Sequence, residues 1–281
     1  PVTRNIDPGK IEAAINPKTR VILPVHLYGQ PCDMDPILNL AGQYDLQVIE
    51  DAAHAPGALY HGRKAGSMGM AGCFSFHEQK NMSTLGEGGM ITTNDPEAFE
   101  RIALYRSHCT RVHGLSTKYC ALDPALFPVG NRPWWQDFDD CGYNFRMTDM
   151  QAAVGRIQLQ KLDKMNQRHV EIAARISAGL HGVPGLTLPT TIADTTHVYH
   201  LYPLRIDAAA FGIGKDDFIA TMANVHGIKV GTHYIPLHWC TAFKNRGYVR
   251  GQFPVAEAVF ESQVTLPIHP RLTDEAVDYL I

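Results

Sequence analysis

Lys80 is the residue in this chain best placed to do chemistry. It sits in Phe74-Ser75-Phe76-His77-Glu78-Gln79-Lys80-Asn81, which runs into the turn Gly86-Glu87-Gly88-Gly89. Val48-Ile49-Glu50-Asp51 precedes it by about one structural unit and reads as a strand that ends on a carboxylate. An amine that leaves an apolar run is desolvated, which lowers its pKa and lets it condense with an aldehyde. A carboxylate at a strand end can keep a ring nitrogen protonated, and a serine shortly before the lysine can take a phosphate. These are the parts that hold pyridoxal phosphate (PLP): Lys80 as the covalent centre and proton carrier, Asp51 against the pyridinium, and Ser75 on the phosphate. Ligands of open α/β sheets gather at the carboxyl ends of strands, which is where this reading puts them.

Each residue also has a plain structural explanation. Most lysines are solvated surface groups. An aspartate after a strand is often a turn former or helix cap. Ser75 could be only a small residue in a tight strand. The order and spacing, together with the apolar run Cys73, Phe74 and Phe76, favour chemistry over these alternatives. Arginine could not stand in for Lys80, because a guanidinium stays charged and is not a useful nucleophile.

The elements that must carry these residues follow from local signals. Asp7 and Pro8 open a short helix through Ala14. Val21 to Leu27 reads as a buried strand, with Pro24 marking its end or an irregular edge. Asp35-Pro36 starts a helix with Ile37, Leu40, Ala41 and Tyr44 on one face, and Val48 to Asp51 is the next strand. Strand–helix–strand order argues for a mostly parallel sheet. Gly66 to Gly72 lacks the G-x-G-x-x-G spacing and precedes a strand, so a dinucleotide loop is excluded. Asp95-Pro96 opens a helix to about Ser107, whereas 108–143 shows no clear period. Thr148-Asp149-Met150-Gln151 is a capping box that launches a long helix to about Leu180. Val198 to Leu204 and Val230 to Tyr234 read as strands, and Asp216 to Val225 reads as a helix. The expected architecture is α/β, a mostly parallel large domain (1–165) followed by a small α+β domain (166–281).

Several motifs, in order, resemble the DegT/DnrJ/EryC1/StrS aminotransferases. They are Asp51-Ala52-Ala53-His54-Ala55, Phe74-Ser75-Phe76-His77, Lys80-Asn81, Gly86-Glu87-Gly88-Gly89 and Gly142 to Asp149. His197 to Leu201, His233 to His238 and Leu266 to Thr273 continue the likeness, so it covers nearly the whole chain. The resemblance implies a fold-type I PLP enzyme that aminates a nucleotide-linked keto-sugar, with L-glutamate or L-glutamine as donor. It implies His54 against the cofactor's phenolic oxygen, and Asn144 reaching a partner subunit's phosphate across a homodimer. It also implies His233 and Tyr234 at the sugar pocket. Some relatives act on cyclitols or make aminohydroxybenzoate, and an inert PLP-fold protein with a sensing or scaffold role is a further alternative. Related dehydratases carry histidine at the lysine position, and Lys80 argues against that chemistry. The chain starts at Pro1, inside what would be the family's large domain. Roughly a hundred residues would precede it, about the size of a small domain. Either the sequence is a fragment or the fold departs from the family there.

Composition narrows the remaining classes. The chain has 281 residues, 45% of them apolar and 19% charged, which suits a globular protein with a sizeable core. The net charge of −3 and the lack of a basic run argue against nucleic acid as a partner. No apolar stretch approaches the ~20 residues of a membrane span, and no signal peptide is visible. The six cysteines are scattered, which reads as reduced thiols in a cytoplasmic enzyme. Neither His197/His200 nor His233/His238 has the spacing of a zinc motif, so no metal is expected.

Overall fold

The computed structural model describes residues 2–110, 138 and 140–281. Through residue 110 the chain runs α1 (Pro8–Ile11), β1 (Val21–Ile22), α2 (Met34–Gln43), β2 (Gln47–Asp51), β3 (Leu59–Tyr60), β4 (Arg63–Lys64), β5 (Ala71–Ser75), β6 (Gly89–Thr92) and α3 (Pro96–Arg106). From residue 140 it continues with α4 (Asp149–Gly179), β7 (Leu186–Thr187), β8 (Thr195–Thr196), β9 (Tyr202–Ile206), α5 (Ala208–Phe211), α6 (Lys215–Asn224), α7 (Thr241–Lys244), α8 (Pro254–Ser262), β10 (Gln263–Leu266) and α9 (Asp274–Leu280). Most of the aperiodic segment 108–143 lies outside the described residues.

The sheet that matters most has the order β1-β2-β5-β6. β1 pairs with β2 and β2 with β5 in parallel, while β6 returns antiparallel to β5. The fold is therefore α/β with a mostly parallel central sheet, as the strand–helix–strand order predicts. Asp51 lies opposite Cys73 in the β2–β5 register, so Asp51 and Ser75 leave neighbouring parallel strands at the same end. Ile22, Met34, Ile37, Ala41 and Val48 fill the core beneath this sheet. Burying an aliphatic side chain of this size contributes about 1.5–3 kcal/mol.

A second core forms where the C-terminal half of α4 and helix α9 meet the antiparallel sheet β10-β9-β7. Leu162, Asn166, His169, Ile172, Ala173 and Ile176 are the buried residues of α4, spaced three and four apart along one face. The N-terminal half of the same helix leaves Met150, Ile157 and Leu159 exposed. Thr148 and Gln151 form the expected capping box: Gln151 N–H donates to Thr148 Oγ1 at 3.3 Å, and Thr148 N–H donates to Gln151 Oε1 at 2.9 Å. A third small sheet, β4-β3-β8, joins the first part of the chain to residues 195–196.

Three expected strands are shorter or absent. Of Val21 to Leu27 only Val21–Ile22 forms β1; Val25 adds an isolated bridge to Asp51, and Leu27 already begins a helical turn. Strand β9 begins at Tyr202 rather than Val198, because Val198 and Leu201 donate their N–H groups to Gly29 and Tyr28 instead of to a ladder. Tyr199 breaks the extended run with a φ of 43°. Val230 to Tyr234 makes only the bridge Gly231–Thr265, because the carbonyl of His233 is taken by side chains.

Candidate active site

The lysine loop is built from the backbone outward. Phe76 N–H donates to Gly88 O, Glu78 N–H to Gly86 O, and Thr84 N–H to Phe76 O, which closes the β5–β6 connection around Lys80. Phe76 and Met82 pack on Leu162 of α4, which anchors the loop to that helix. Asn81, next to Lys80, is buried and fully used. Its amide donates to Asn166 Oδ1 at 3.0 Å and to Val198 O at 3.2 Å, so its Oδ1 must accept from His200 Nδ1 at 3.1 Å. Asn166 in turn donates to Pro56 O at 2.8 Å. This buried amide chain ties the loop to α4 and to the segment before β9. A satisfied network of this kind fixes one geometry, because any broken link leaves a buried polar group unpaired.

Lys80 is half-buried, and its ammonium makes no ion pair among the described residues. Burial lowers its pKa, while the nearby charge of Asp51 acts in the opposite sense. Asp51 uses Oδ1 to accept from Ala53 N–H at 3.0 Å, as a turn-forming aspartate does. Its other oxygen has no hydrogen-bond partner among the described residues, so the turn role leaves the carboxylate available. Ser75 ends β5, and its hydroxyl accepts a long bond of 3.3 Å from His77 N–H. That bond leaves the serine proton free to donate.

His54 forms the next part of the wall. Its ring lies 4.4 Å from that of His200 and 6.3 Å from that of Tyr234. Tyr28 N–H donates to His54 Nδ1 at 3.2 Å, so the single proton of the neutral ring sits on Nε2. Burial, helped by the charges of Lys80 and His233, holds the His54 pKa down at about 4. The ring is therefore neutral at physiological pH. His233 is half-buried, and its Nδ1 pairs with Thr265 Oγ1 at 2.9 Å. Its pKa is lowered first by burial and then by Lys80. Tyr234 is about half exposed at 52%, enough to offer its ring to a ligand while still packing near His54.

Asp51, His54, Lys80, His233 and Tyr234 are thus joined by contact or by electrostatic influence, with Ser75 on the adjacent strand end. Asn144 stands apart. It is exposed, bridges to Ser107 and accepts from Arg146 Nε at 2.8 Å. A cavity of about 490 Å³ also borders the lysine loop, lined by Lys80, His169, His200, His269 and Arg271 among others.

The residues that fix this geometry from behind are not visible in any motif. Glu50 and His26 are completely buried, and Tyr28 and Gln263 nearly so. Their partners are mostly backbone groups far away in sequence. The one local sign is a polar side chain at an apolar position in a strand, as with Glu50 in Val48-Ile49-Glu50-Asp51.

A lysine amine with a lowered pKa, an acceptor carboxylate, a donor hydroxyl and a neutral Nε2–H, at the ends of β2 and β5 and in the segments that follow them, form a set that suits PLP. Comparison with known proteins points to the aminotransferases. The model of the DegT/DnrJ/EryC1/StrS aminotransferase family matches residues 1–281. The chain is 38% identical over 284 residues to the spore coat polysaccharide biosynthesis protein SpsC of Bacillus subtilis, with 99% of this chain and 69% of that protein covered. It is 37% identical to the dTDP-3-amino-3,4,6-trideoxy-alpha-D-glucose transaminase of Streptomyces venezuelae, with 95% of this chain and 63% of that protein covered. The solved structure of an aminotransferase from Psychrobacter cryohalolentis superposes with a TM-score of 0.86 at 32% identity, covering 99% of this chain and 71% of that one.

Proposed function

The chain belongs to the DegT/DnrJ/EryC1/StrS aminotransferase family of PLP-dependent enzymes, and from that premise we propose that it aminates a keto-sugar carried on a nucleotide. The amino donor in this reading is L-glutamate or L-glutamine. The observation that carries it is that Lys80, its pKa lowered by burial, lies within the electrostatic influence of Asp51, which keeps one oxygen unengaged at the end of β2 beside β5.

PLP, when bound, supplies an electrophilic carbonyl and a ring that accepts electrons. Lys80 would hold the group and then carry a proton at Nζ. Partial burial favours the neutral amine and so raises the fraction able to accept that proton. Asp51 would accept a hydrogen bond from the ring nitrogen through its free oxygen. Ser75 would donate its hydroxyl proton to the phosphate. His54, with Nδ1 already occupied, has only Nε2–H to offer, which suits an anionic phenolic oxygen. His233 and Tyr234 would form the wall on the sugar side.

The same reading carries a cytoplasmic homodimer, with Asn144 serving the partner's phosphate, and a division into a large domain (1–165) and a small domain (166–281) that falls within α4. The separate hydrophobic clusters around Met34 and around Ile176 support that division. No helix among the described residues is long and apolar enough to cross a membrane.

Borohydride reduction with PLP, followed by peptide mapping, tests the covalent centre: the pyridoxyl group is expected on Lys80. Label on another lysine overturns the assignment. Substrate class is tested in the reverse direction. Both L-glutamate and a probe amino sugar, dTDP-3-amino-3,4,6-trideoxy-α-D-glucose, should convert the PLP absorbance to that of the pyridoxamine form. Reaction with L-glutamate and with a cyclitol amine, but with no nucleotide sugar, would favour the cyclitol alternative. PLP binding without either conversion would favour a sensing or scaffold protein.

A further inference from the structure

The turn Leu27-Tyr28-Gly29 reaches both walls of the site. Tyr28 holds a φ of 61°, a left-handed conformation that side chains rarely adopt. Gly29 follows at φ +96°, where an added Cβ would lie 2.9 Å from Val198 Cγ2 and 3.1 Å from the backbone of His200. The turn is therefore pressed against the segment before β9 and cannot relax outward. Such strain persists only where the surroundings over-determine it, and it collects at functional sites.

Tyr28 has two separate connections. Its backbone N–H donates to His54 Nδ1 at 3.2 Å. Its hydroxyl donates to the carbonyl of His233, 205 positions away, at 2.5 Å. Gln263, at the start of β10, closes the arrangement. Its amide donates to Tyr28 Oη at 3.0 Å and also to His233 O. The orientation of the Gln263 amide is settled by chemistry, because a flipped amide would set oxygen against a carbonyl oxygen. Tyr28 is 4% exposed and Gln263 1%, so water cannot replace either bond. The His233 side chain is fixed separately through Thr265.

We propose that Tyr28 is a positioning residue for the substrate cleft, orienting His54 with its backbone and the His233–Tyr234 wall directly with its hydroxyl, which Gln263 braces. The inference rests on the nucleotide-sugar reading, since the wall it sets is the one assigned to the sugar. The Tyr28 hydroxyl makes no hydrogen bond to the proposed cofactor residues Asp51, His54, Ser75 and Lys80; only the backbone N–H, which every residue but proline carries, reaches His54. The effect of the hydroxyl should therefore fall more on the larger substrate than on the amino donor.

Tyr28→Phe removes only the hydroxyl and keeps the backbone N–H and the packing. In the holoenzyme, the rate of conversion by the probe amino sugar should fall about tenfold more than that by L-glutamate, the equivalent of one buried hydrogen bond. Amide hydrogen exchange over residues 231–235 should rise in the same variant, and in Gln263→Leu, without a rise in β2. Equal losses in the two half-reactions would make Tyr28 a general structural residue and overturn the proposal. Unchanged exchange over 231–235 would overturn it as well. If the wild type turns over L-glutamate but not the amino sugar, the sugar reading fails by itself, and the exchange result alone then decides whether Tyr28 positions the wall.

Discussion

Two faces of the same strand end carry adjacent carboxylates with opposite uses. On one face of β2, Glu50 is completely buried. Its Oε1 accepts from Met68 and Gly69 N–H, and its Oε2 from Gly66 N–H, each at 2.7 Å. His26 Nε2–H adds a fourth bond at 2.9 Å, and its ring must be neutral, because Nδ1 accepts from Cys32 N–H at 3.0 Å. On the other face, Asp51 spends one oxygen on a turn and keeps one. A carboxylate whose lone pairs are all taken is a structural pin. One with spare capacity beside a lowered-pKa lysine is available for chemistry. The difference between a fold residue and a site residue here is unspent hydrogen-bonding capacity, which neither residue type nor position reveals.

The sharpest way to break this comparison is Glu50→Gln. Glutamine offers one acceptor oxygen, so its amide N–H groups would face two of the N–H donors that Glu50 now satisfies. Breaking a buried, hydrogen-bonded charge in this way costs about 3–5 kcal/mol. Chemical denaturation should show a loss of that order, with turnover per folded molecule changed far less. A stable variant with crippled turnover would move Glu50 into the chemistry.

Asp51→Asn is the converse, and its cost should appear in turnover. Removing one such charge from a pre-organised site costs about 2.7–4 kcal/mol in the barrier, or 10²–10³ in kcat. The denaturation midpoint should barely move, since asparagine can still accept from Ala53 N–H. Near-wild-type kcat would reduce Asp51 to a turn former.

How much of this was legible follows the same line. Lys80, Ser75, Asp51 and His54 lie within thirty positions of one another and sit at strand ends, so local motifs expose them. The capping box at Thr148 and the extent of α4 were legible for the same reason, because their partners are three or four residues away. Tyr28 with His233, Gln263 with Tyr28, and Asn81 with Asn166 or His200 are joined only by the fold. Many of their bonds end on backbone carbonyls or N–H groups, which every residue possesses, so no side-chain pattern marks them. The expected strand at Val230 to Tyr234 failed for this reason: β-branched and aromatic composition suggested a ladder, but side chains from elsewhere had claimed the carbonyl of His233.

Acid should separate the two faces by window. Away from Glu50, burial holds His54 and His169 at about 4, His197 at about 3 and His200 at about 2. Each titrates near 6.5 when unfolded, so below that pH the unfolded chain binds more protons than the native one. Stability is complete above about pH 6.5 and falls on the way to pH 4. The slope should exceed one proton's worth, about 1.4 kcal/mol per pH unit. On the Glu50 side, burial opposes ionisation most strongly, but His26 and the three N–H donors outweigh it and lower the pKa. That stability is present above the ordinary glutamate range and is lost only as pH falls through the lowered native value. Denaturant midpoints measured from pH 7.5 to 4 should therefore decline before Glu50 titrates, and His54→Gln should flatten part of the decline. A midpoint constant from pH 7 to 5 would show that the buried histidines do not control it.

The smallest expected effect lies at Ser75, and it tests whether spare capacity is the right criterion on a neutral group. The Ser75 hydroxyl accepts only the long bond from His77 N–H, so its proton is unspent, as one oxygen of Asp51 is. Donation to a phosphate oxygen is a charge-assisted bond, at most about 1.5–3 kcal/mol and less where water can substitute. Ser75→Ala also removes the acceptor for His77 N–H, but a bond of 3.3 Å at the edge of the loop contributes little, and water can reach that group. Stability should therefore change by less than about 0.5 kcal/mol. PLP retention, followed by dialysis and absorbance, should weaken about tenfold. Threonine at this position keeps the hydroxyl and fits a strand, so Ser75→Thr should restore most of the lost affinity. If the alanine variant retains PLP as tightly as wild type, the hydroxyl proton does not meet the phosphate. Unspent hydrogen-bonding capacity would then identify the charged members of this site but not the neutral one.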